Sequence, residues 1–322
     1  MTEHHSPIAP DQPFAPGEPD GVAASRLLAR LRQRPSLGAD EAWRSDRLPL
    51  LMGVLNVTPD SFSDGGQFNA PAVAAAHACA MARDGADIID VGGESTRPGH
   101  APTPADEEIA RVTPAIHAAR AALAQAGLPA VISIDTWKAP VASAALAAGA
   151  GIVNDIWGLQ RDPDIARVAA GHGAGVVIMH NAEATQPDAD VMDLFRRFFD
   201  RSLAIAAQAG VRDDCIVLDI GFGFGATRAQ HLEAIRRLPE LRACYGLPVL
   251  VGVSRKSTIG LLTGREVADR LAGSLAGHSL ALAFGADVLR VHDVAAHRDA
   301  LRIVQGVMAP EPALASAMER GA

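Results

Sequence analysis

Eight short apolar runs punctuate this chain, and each ends in a polar residue suited to chemistry. Leu50–Leu55 is followed by Asn56, Ile88-Ile89 by Asp90, Val131–Ile134 by Asp135, and Ile152-Val153 by Asn154 and Asp155. Val176–Met179 precedes His180, and Cys215–Leu218 precedes Asp219. Pro248–Val253 precedes Ser254, Arg255 and Lys256, while Val288–Val291 carries Arg290 and ends at His292. The runs are largely continuous rather than alternating, as expected for parallel strands buried on both faces. Helical stretches separate them. Eight such units in succession predict an α/β fold, the (β/α)8 TIM barrel, whose C-terminal rim gathers all eight polar ends around one site.

At 322 residues the chain exceeds the roughly 250 that such a barrel takes. One catalytic domain is therefore expected over 48–310, with an N-terminal extension at 1–47 and a tail at 311–322. The first 20 or so residues carry Pro7, Pro10, Pro13, Pro16 and Pro19, a composition that favours disorder. Gly21–Arg34 (GVAASRLLARLRQR) reads as a short basic amphipathic helix that packs on the barrel. Gly-Ala followed by a strand recurs from Gly85, Gly149, Gly173 and Gly285, each after an alanine-rich stretch; such a glycine can supply a left-handed helix stop. Thr103-Pro104-Ala105-Asp106 offers an N-cap hydroxyl followed by a proline in the first turn. Two connections, Val57–Asn69 and Val91–Pro102, are long enough to be functional lids. Leu271–Gly285 is rich in alanine and glycine and could pack closely on another helix or a second subunit.

Composition narrows the function. The formal net charge of −8 argues against a general nucleic-acid binder, so any anionic ligand must be held by local cationic groups. Cys79, Cys215 and Cys244 are far apart and form no Cys-x-x-Cys pair, which fits thiols in a reducing cytoplasm. No apolar stretch is long enough to span a membrane, and the N-terminus lacks the apolar core of a secretory signal. There is no His-Glu-x-x-His, no lysine within a barrel strand for a Schiff base, and no nucleophile elbow at a strand end.

Two groupings remain. Arg255, Lys256, Arg290 and His292 lie at the ends of strands seven and eight, where barrels often bind phosphate; the alternative is a set of rim salt bridges. Asp135, Asn154 and Asp219 place acceptors in the mouth, where burial is costly unless donors meet them. A ring with adjacent N–H and NH2 groups, such as a 2-amino-4-oxo pyrimidine, supplies such donors; helix capping or pairing with internal cations is the alternative. Arg97, in Ser95-Thr96-Arg97-Pro98-Gly99, suits a loop that closes over an anion or a solvated surface loop. Asn56 could ligand a divalent ion or tighten its turn. The Gly221-Phe222-Gly223-Phe224-Gly225 run lacks the spacing of a phosphate loop and reads as a turn carrying aromatic rings to the site, and His180 reads as structural.

Met52–Gly66 (MGVLNVTPDSFSDGG), Asp90–Gly99 (DVGGESTRPG), Ser133–Lys138 (SIDTWK), Asn154-Asp155, Gly221–Gly225 and Ser254–Ser257 (SRKS) closely resemble dihydropteroate synthases, in order, across roughly residues 48–305. The resemblance implies a dimeric, Mg2+-dependent enzyme of folate biosynthesis and a sulfonamide target. Such an enzyme joins 6-hydroxymethyl-7,8-dihydropterin pyrophosphate to 4-aminobenzoate and releases pyrophosphate. It further implies that Asp135, Asn154, Asp219 and Lys256 hold the pterin, with Met179 and Phe224 packed nearby. Asn56, Thr96, Arg97, Arg290 and His292 would hold the pyrophosphate, with Asn56 also reaching Mg2+. Phe62, Ser95, Pro98 and Ser254 would shape the aminobenzoate pocket. Arg97, Asp135, Lys256 and Asp90 are the implied catalytic groups. The chain departs from the family pattern at Ile220, Ala226 and Asn181-Ala182-Glu183. The alternatives are a pterin-dependent methyltransferase, which would not need the Asn56 and Ser-Thr-Arg-Pro loops, and a non-catalytic pterin-binding paralogue.

Overall fold

In a computed structural model of the chain, the described residues are 20–32, 49–58, 66–94, 102–308, 310, 314 and 318. Eight strands close into one barrel: β1 (Leu50–Asn56), β2 (Ile88–Gly92), β3 (Val131–Asp135), β4 (Ile152–Asp155), β5 (Gly175–Met179), β6 (Ile216–Asp219), β7 (Val249–Val251) and β8 (Val288–Val291). Each pairs in parallel with the next, and β8 pairs with β1. The helices are α1 (Asp20–Arg32), α2 (Gly66–Arg83), α3 (Ala105–Gln125), α4 (Ala139–Ala147), α5 (Asp164–His172), α6 (Val191–Ala209), α7 (Arg228–Arg236), α8 (Leu238–Tyr245), α9 (Ser257–Thr263), α10 (Leu271–Ala283) and α11 (Val294–Met308).

The two-residue period of a strand divides its side chains between two cores. Leu51, Leu55, Ile89, Val91, Ile132, Ile134, Val153 and Ile178 point outward and pack with the helices. The other phase points inward. Its lowest layer takes one apolar residue from each strand: Met52, Ile88, Val131, Ile152, Val177, Val217, Leu250 and Val288. Two residues further along the same inward faces stand Asp90, Ser133, Asn154, Asp219 and Arg290. Phase alone therefore stacks a polar layer on an apolar plug.

Helix α1 completes that plug. Ala24, Leu27, Leu28 and Leu31 are buried against the lowest barrel layer, so the amphipathic segment packs on the barrel as its pattern predicts. A side chain at Gly175 would approach Leu28 Cδ1 to 2.5 Å, which is why β5 begins on glycine. Asp20 pairs with Arg120 of α3 at 2.9 Å. The four repeat glycines all take positive φ, from 61° at Gly173 to 112° at Gly149, as left-handed helix stops require.

Several boundaries differ from the sequence expectation. Asp90 does not end its strand: β2 continues to Gly92, where it pairs with both Asn56 and Asp135. Cys215 belongs to a 3-10 turn, and β7 covers only the middle of its apolar run. Helix α2 begins at Gly66, shortening the first long connection. Thr103 is not the cap of α3; Pro104 holds that position without a side-chain cap. The Thr103 backbone is instead drawn to Glu94 and Lys138. All three cysteines are free. Among the described residues, no helix is long and apolar enough to cross a membrane. The expected disorder of the first 20 or so residues lies outside the described residues.

Leu28→Ala should lower stability by about 2–5 kcal/mol, the range for emptying a buried leucine site. Chemical denaturation checks this; an unchanged midpoint would show that α1 does not contribute to the barrel core.

Candidate active site

The polar layer opens into a cleft at the C-terminal mouth of about 500 Å3, counted out to solvent. Asp135, Asn154, Met179, Asp219, Phe224, Ser254, Lys256, Arg290 and His292 line it, together with Val54, Ile156, Phe222 and Gly252. They come from strands β1 and β3–β8 or from the turns that follow them, so the closed barrel brings together residues far apart in sequence.

Arg290 organises the floor. Its Nε donates to Asp90 Oδ2 and its Nη2 to Asp135 Oδ2, both at 2.7 Å. Asn154 Nδ2 donates to the same Asp90 oxygen at 3.0 Å, which fixes its amide and leaves Oδ1 as an acceptor. Asp135 Oδ1 and Asn154 Oδ1 are buried with no partner. Unmet buried acceptors are rare in folded proteins because they cost about 1–3 kcal/mol each. A ligand edge carrying N–H donors would satisfy both.

Burial raises Asp135 to about 7; Arg290 opposes the rise and Asp90 adds to it. Asp219 is raised to about 6, again by burial, against the pull of the Gly221 N–H at 2.8 Å and of Lys256. Burial lowers Lys256 to about 8, and Arg290 adds to the effect. The Lys256 ammonium lies 4.3 Å from the centre of the Phe224 ring. Burial works against the charge of Arg290, but its carboxylate partners outweigh it and hold the guanidinium ionised. The mouth therefore pairs ionisable acceptors with donors beside an aromatic face.

The turn that brings Phe222 and Phe224 needs its glycine. Gly221 has φ 63°, and a Cβ there would lie 1.9 Å from the His180 carbonyl oxygen. At one departure from the family pattern, Asn181 donates to the Ile156 carbonyl at 3.0 Å and accepts from Ala182 N–H, tying the β5 loop to the β4 loop. Ile220, a second departure, is buried in the outer core.

The four donors after β7 and β8 do not converge on one point. Arg255, at φ 58°, turns away and binds both oxygens of Asp293, at 3.1 and 2.5 Å. For this residue the salt-bridge alternative holds. His292 Nδ1 lies 2.9 Å from Ser254 Oγ. Desolvation and the charges of Arg290 and Arg255 lower its pKa, so it offers a hydrogen bond rather than a charge. Asp90 does not line the cleft but lies behind Arg290 and Asn154. Asn56 stands exposed at the rim, and both its amide oxygen and the Asp135 carboxylate approach Gly92. Phe62, Ser95, Thr96, Arg97 and Pro98 lie outside the described residues.

Two strand-end residues face away from the mouth. Asp155 points outward and accepts the Trp157 and Leu159 N–H groups at 2.8 and 2.7 Å. His180 meets the Phe195 and Phe198 rings at 5.0 Å each, and burial lowers it to about 4.

A buried charge cluster went unread in the sequence. Lys138 Nζ binds Glu94 Oε2 at 2.9 Å, Glu108 Oε2 at 2.5 Å and the Thr103 carbonyl at 2.7 Å. Thr103 N–H and Trp137 Nε1 also donate to Glu94. Glu94 and Lys138 stand in the GGESTRPG and SIDTWK motifs, which was the available signal; Glu108 shows only as an acidic residue on the buried face of α3.

An eight-stranded barrel with unmet acceptors, a lysine and an aromatic ring in its mouth defines an enzyme that takes a flat, donor-edged heterocycle. Residues 52–292 match the family described as pterin binding enzymes. A dihydropteroate synthase of Clostridium beijerinckii is 46% identical over 245 residues, covering 76% of this chain and 88% of its own. That of Bacillus subtilis is 45% identical over 248 residues, covering 76% and 84%. Among solved structures, Xanthomonas albilineans dihydropteroate synthase with 4-aminobenzoic acid superposes with a TM-score of 0.76 at 44% identity, covering 82% of this chain and 94% of that one. The same enzyme with 7,8-dihydropteroate gives 0.73 at 42% identity, covering 82% and 95%. The chain belongs to the dihydropteroate synthase family.

Lys138→Met should cost about 3–5 kcal/mol, because it strands Glu108 as an uncompensated buried charge. Thermal unfolding at neutral pH reads this directly. A variant as stable as the parent would show the cluster to be dispensable.

Proposed function

We propose that the chain joins 6-hydroxymethyl-7,8-dihydropterin pyrophosphate to 4-aminobenzoate, giving 7,8-dihydropteroate and pyrophosphate. The observation that carries the reading is the pair of unmet acceptors, Asp135 Oδ1 and Asn154 Oδ1, beside Asp219 and Lys256. A pterin edge presents N–H and NH2 donors to the acceptors and a carbonyl or ring nitrogen to the lysine. Met179 and Phe224 bound the ring.

The bond to the leaving pyrophosphate breaks at the pterin methylene carbon. The arylamine nitrogen then bonds to that carbon and loses one proton. Positive charge that develops on the pterin is stabilised by the Asp135 and Asp219 carboxylates. An arylamine is already a nucleophile, so the protein need only orient it and receive the leaving group. His292 and Arg97 serve the leaving group, with Arg290 behind His292 at the end of β8. Phe62, Ser95, Pro98 and Ser254 shape the aminobenzoate position, and sulfonamides, which present a similar aniline, should compete there.

Mg2+ suits the pyrophosphate. Among the described residues no group of three or more His, Cys, Asp or Glu side chains could cage a metal. An ion that keeps its waters and takes one protein oxygen plus substrate phosphates fits the exposed amide oxygen of Asn56. When bound, it supplies charge neutralisation for the leaving group. A homodimer is supported by exposed apolar side chains on α9, α10 and α11, including Leu261, Leu262, Leu280, Ile303 and Val307. The glycines of α10 do not themselves call for a partner, since Gly273 and Gly277 pack on Ile259 and Val253 of the same chain. Three free cysteines fit the reducing cytoplasm.

Pyrophosphate release should require both substrates and Mg2+, with one dihydropteroate formed for each pyrophosphate. Release without 4-aminobenzoate would instead identify a hydrolase. Arg97→Ala should reduce turnover about a hundredfold, the scale for removing one positioned donor to developing charge, while pterin affinity survives. Unchanged turnover would remove Arg97 from the mechanism.

A further inference from the structure

The ends of β7 and β8 carry Ser254, Lys256, Arg290 and His292, yet the ladder that joins these strands is short. Its register covers only Leu250↔Val288 and Val251↔Leu289. Beyond those pairs, side chains take over the alignment. On the cleft side, Ser254 Oγ meets His292 Nδ1 at 2.9 Å; turned away from the cleft, Arg255 clasps the Asp293 carboxylate.

Behind the same ends lie two fully buried histidines, His278 on α10 and His297 on α11. Val253 N–H donates to His278 Nε2 at 3.1 Å, and His278 Nδ1 lies 2.9 Å from His297 Nε2. His297 Nδ1 lies 2.7 Å from the Asp293 carbonyl. Burial lowers the pKa of both rings, so each carries one proton. A carbonyl only accepts, so the His297 proton is on Nδ1 and its Nε2 accepts. His278 must then donate from Nδ1 and accept at Nε2, which is what the Val253 N–H requires. The Val251 carbonyl also faces His278. An Nε2–H tautomer turned toward it would leave the Val253 N–H unmatched and set two ring acceptors against each other. One tautomer state satisfies the whole chain. It links the backbone after β7 to the backbone after β8 where the ladder has ended.

We propose that His278 and His297 are positioning residues for the leaving-group side of the reaction, holding the β7 and β8 ends in register so that His292, braced by Ser254, meets the pyrophosphate. What His292 touches rests on the synthase reading above; the hydrogen-bond chain itself does not. Apolar truncation of His297 leaves His278 Nδ1–H buried without a partner and frees the two ends to separate. The pterin acceptors stand on β3, β4 and β6, so the pterin is disturbed less, through Lys256 and Arg290 alone.

The test compares the binding of Mg2+-pyrophosphate and of 6-hydroxymethyl-7,8-dihydropterin to the intact chain by calorimetry. His297→Leu should weaken pyrophosphate about tenfold, because the ends must be realigned before His292 can bind it, and should weaken the pterin less. His297→Gln keeps an acceptor for His278 and should bind pyrophosphate as the parent does. Equal affinities in His297→Leu and the parent, or equal losses for both ligands, would overturn the proposal. Imidazole 15N spectra of the parent provide a second measurement should His297→Leu fail to fold. Both rings should be protonated at Nδ1, and protonation of either at Nε2 would overturn the chain. A parent that binds neither ligand would count against the synthase reading, and the spectra would still decide the tautomers.

Discussion

Arg290 between Asp90 and Asp135 is the interaction on which the site depends. Two buried carboxylates held close together repel each other, and a cation between them offsets that cost. The guanidinium between them supplies two hydrogen bonds and the compensating charge. It also sets directions. With Oδ2 of each aspartate engaged by Arg290, and Asn154 Nδ2 turned to Asp90, the free acceptors Asp135 Oδ1 and Asn154 Oδ1 are left for a ligand. The arginine thus prepares a recognition surface that it does not itself complete.

The surrounding fold serves that floor. The inward phase of the strands puts an apolar layer beneath it, and α1 closes the barrel from below. A dry base keeps the effective dielectric low, so charges in the mouth act strongly on one another and on a ligand. Above the floor, the βα turns bring Phe224, Lys256 and His292 inward. The Lys138 cluster, anchored in the outer layer, joins Glu94 and Thr103, the described residues on either side of the Arg97 segment.

Much of this was legible in the sequence, because a barrel repeats one pattern eight times. The apolar runs located the strands, and the polar residues at the ends of most of them located the mouth. The phase of individual residues was not legible. Asn154 and Asp155 are neighbours, yet one faces the cleft and the other caps an outer turn, and only barrel closure decides which. Arg255 and Lys256 likewise part company because Arg255 adopts a left-handed backbone. Asp90 looked like a strand end because polarity interrupts its run, although β2 continues past it. The partners of Glu108, His278 and His297 lie far away in sequence, and periodicity carries no information about such pairs.

The central claim is that buried carboxylates and one lysine, poised near neutrality, recognise a pterin. It is tested most directly by the pH dependence of pterin affinity in the absence of the second substrate. A bound N–H donor favours the ionised carboxylates, so affinity should fall as pH drops through about 7 and then about 6, where Asp135 and Asp219 take up protons. It should fall again as pH rises through about 8, where Lys256 loses its charge. The alkaline limb should approach tenfold per pH unit, for one linked proton, and the acid limb should steepen beyond that below about pH 6, where a second proton is linked. An affinity that stays flat from about pH 5 to about pH 9, across the range where these groups titrate, would contradict the account.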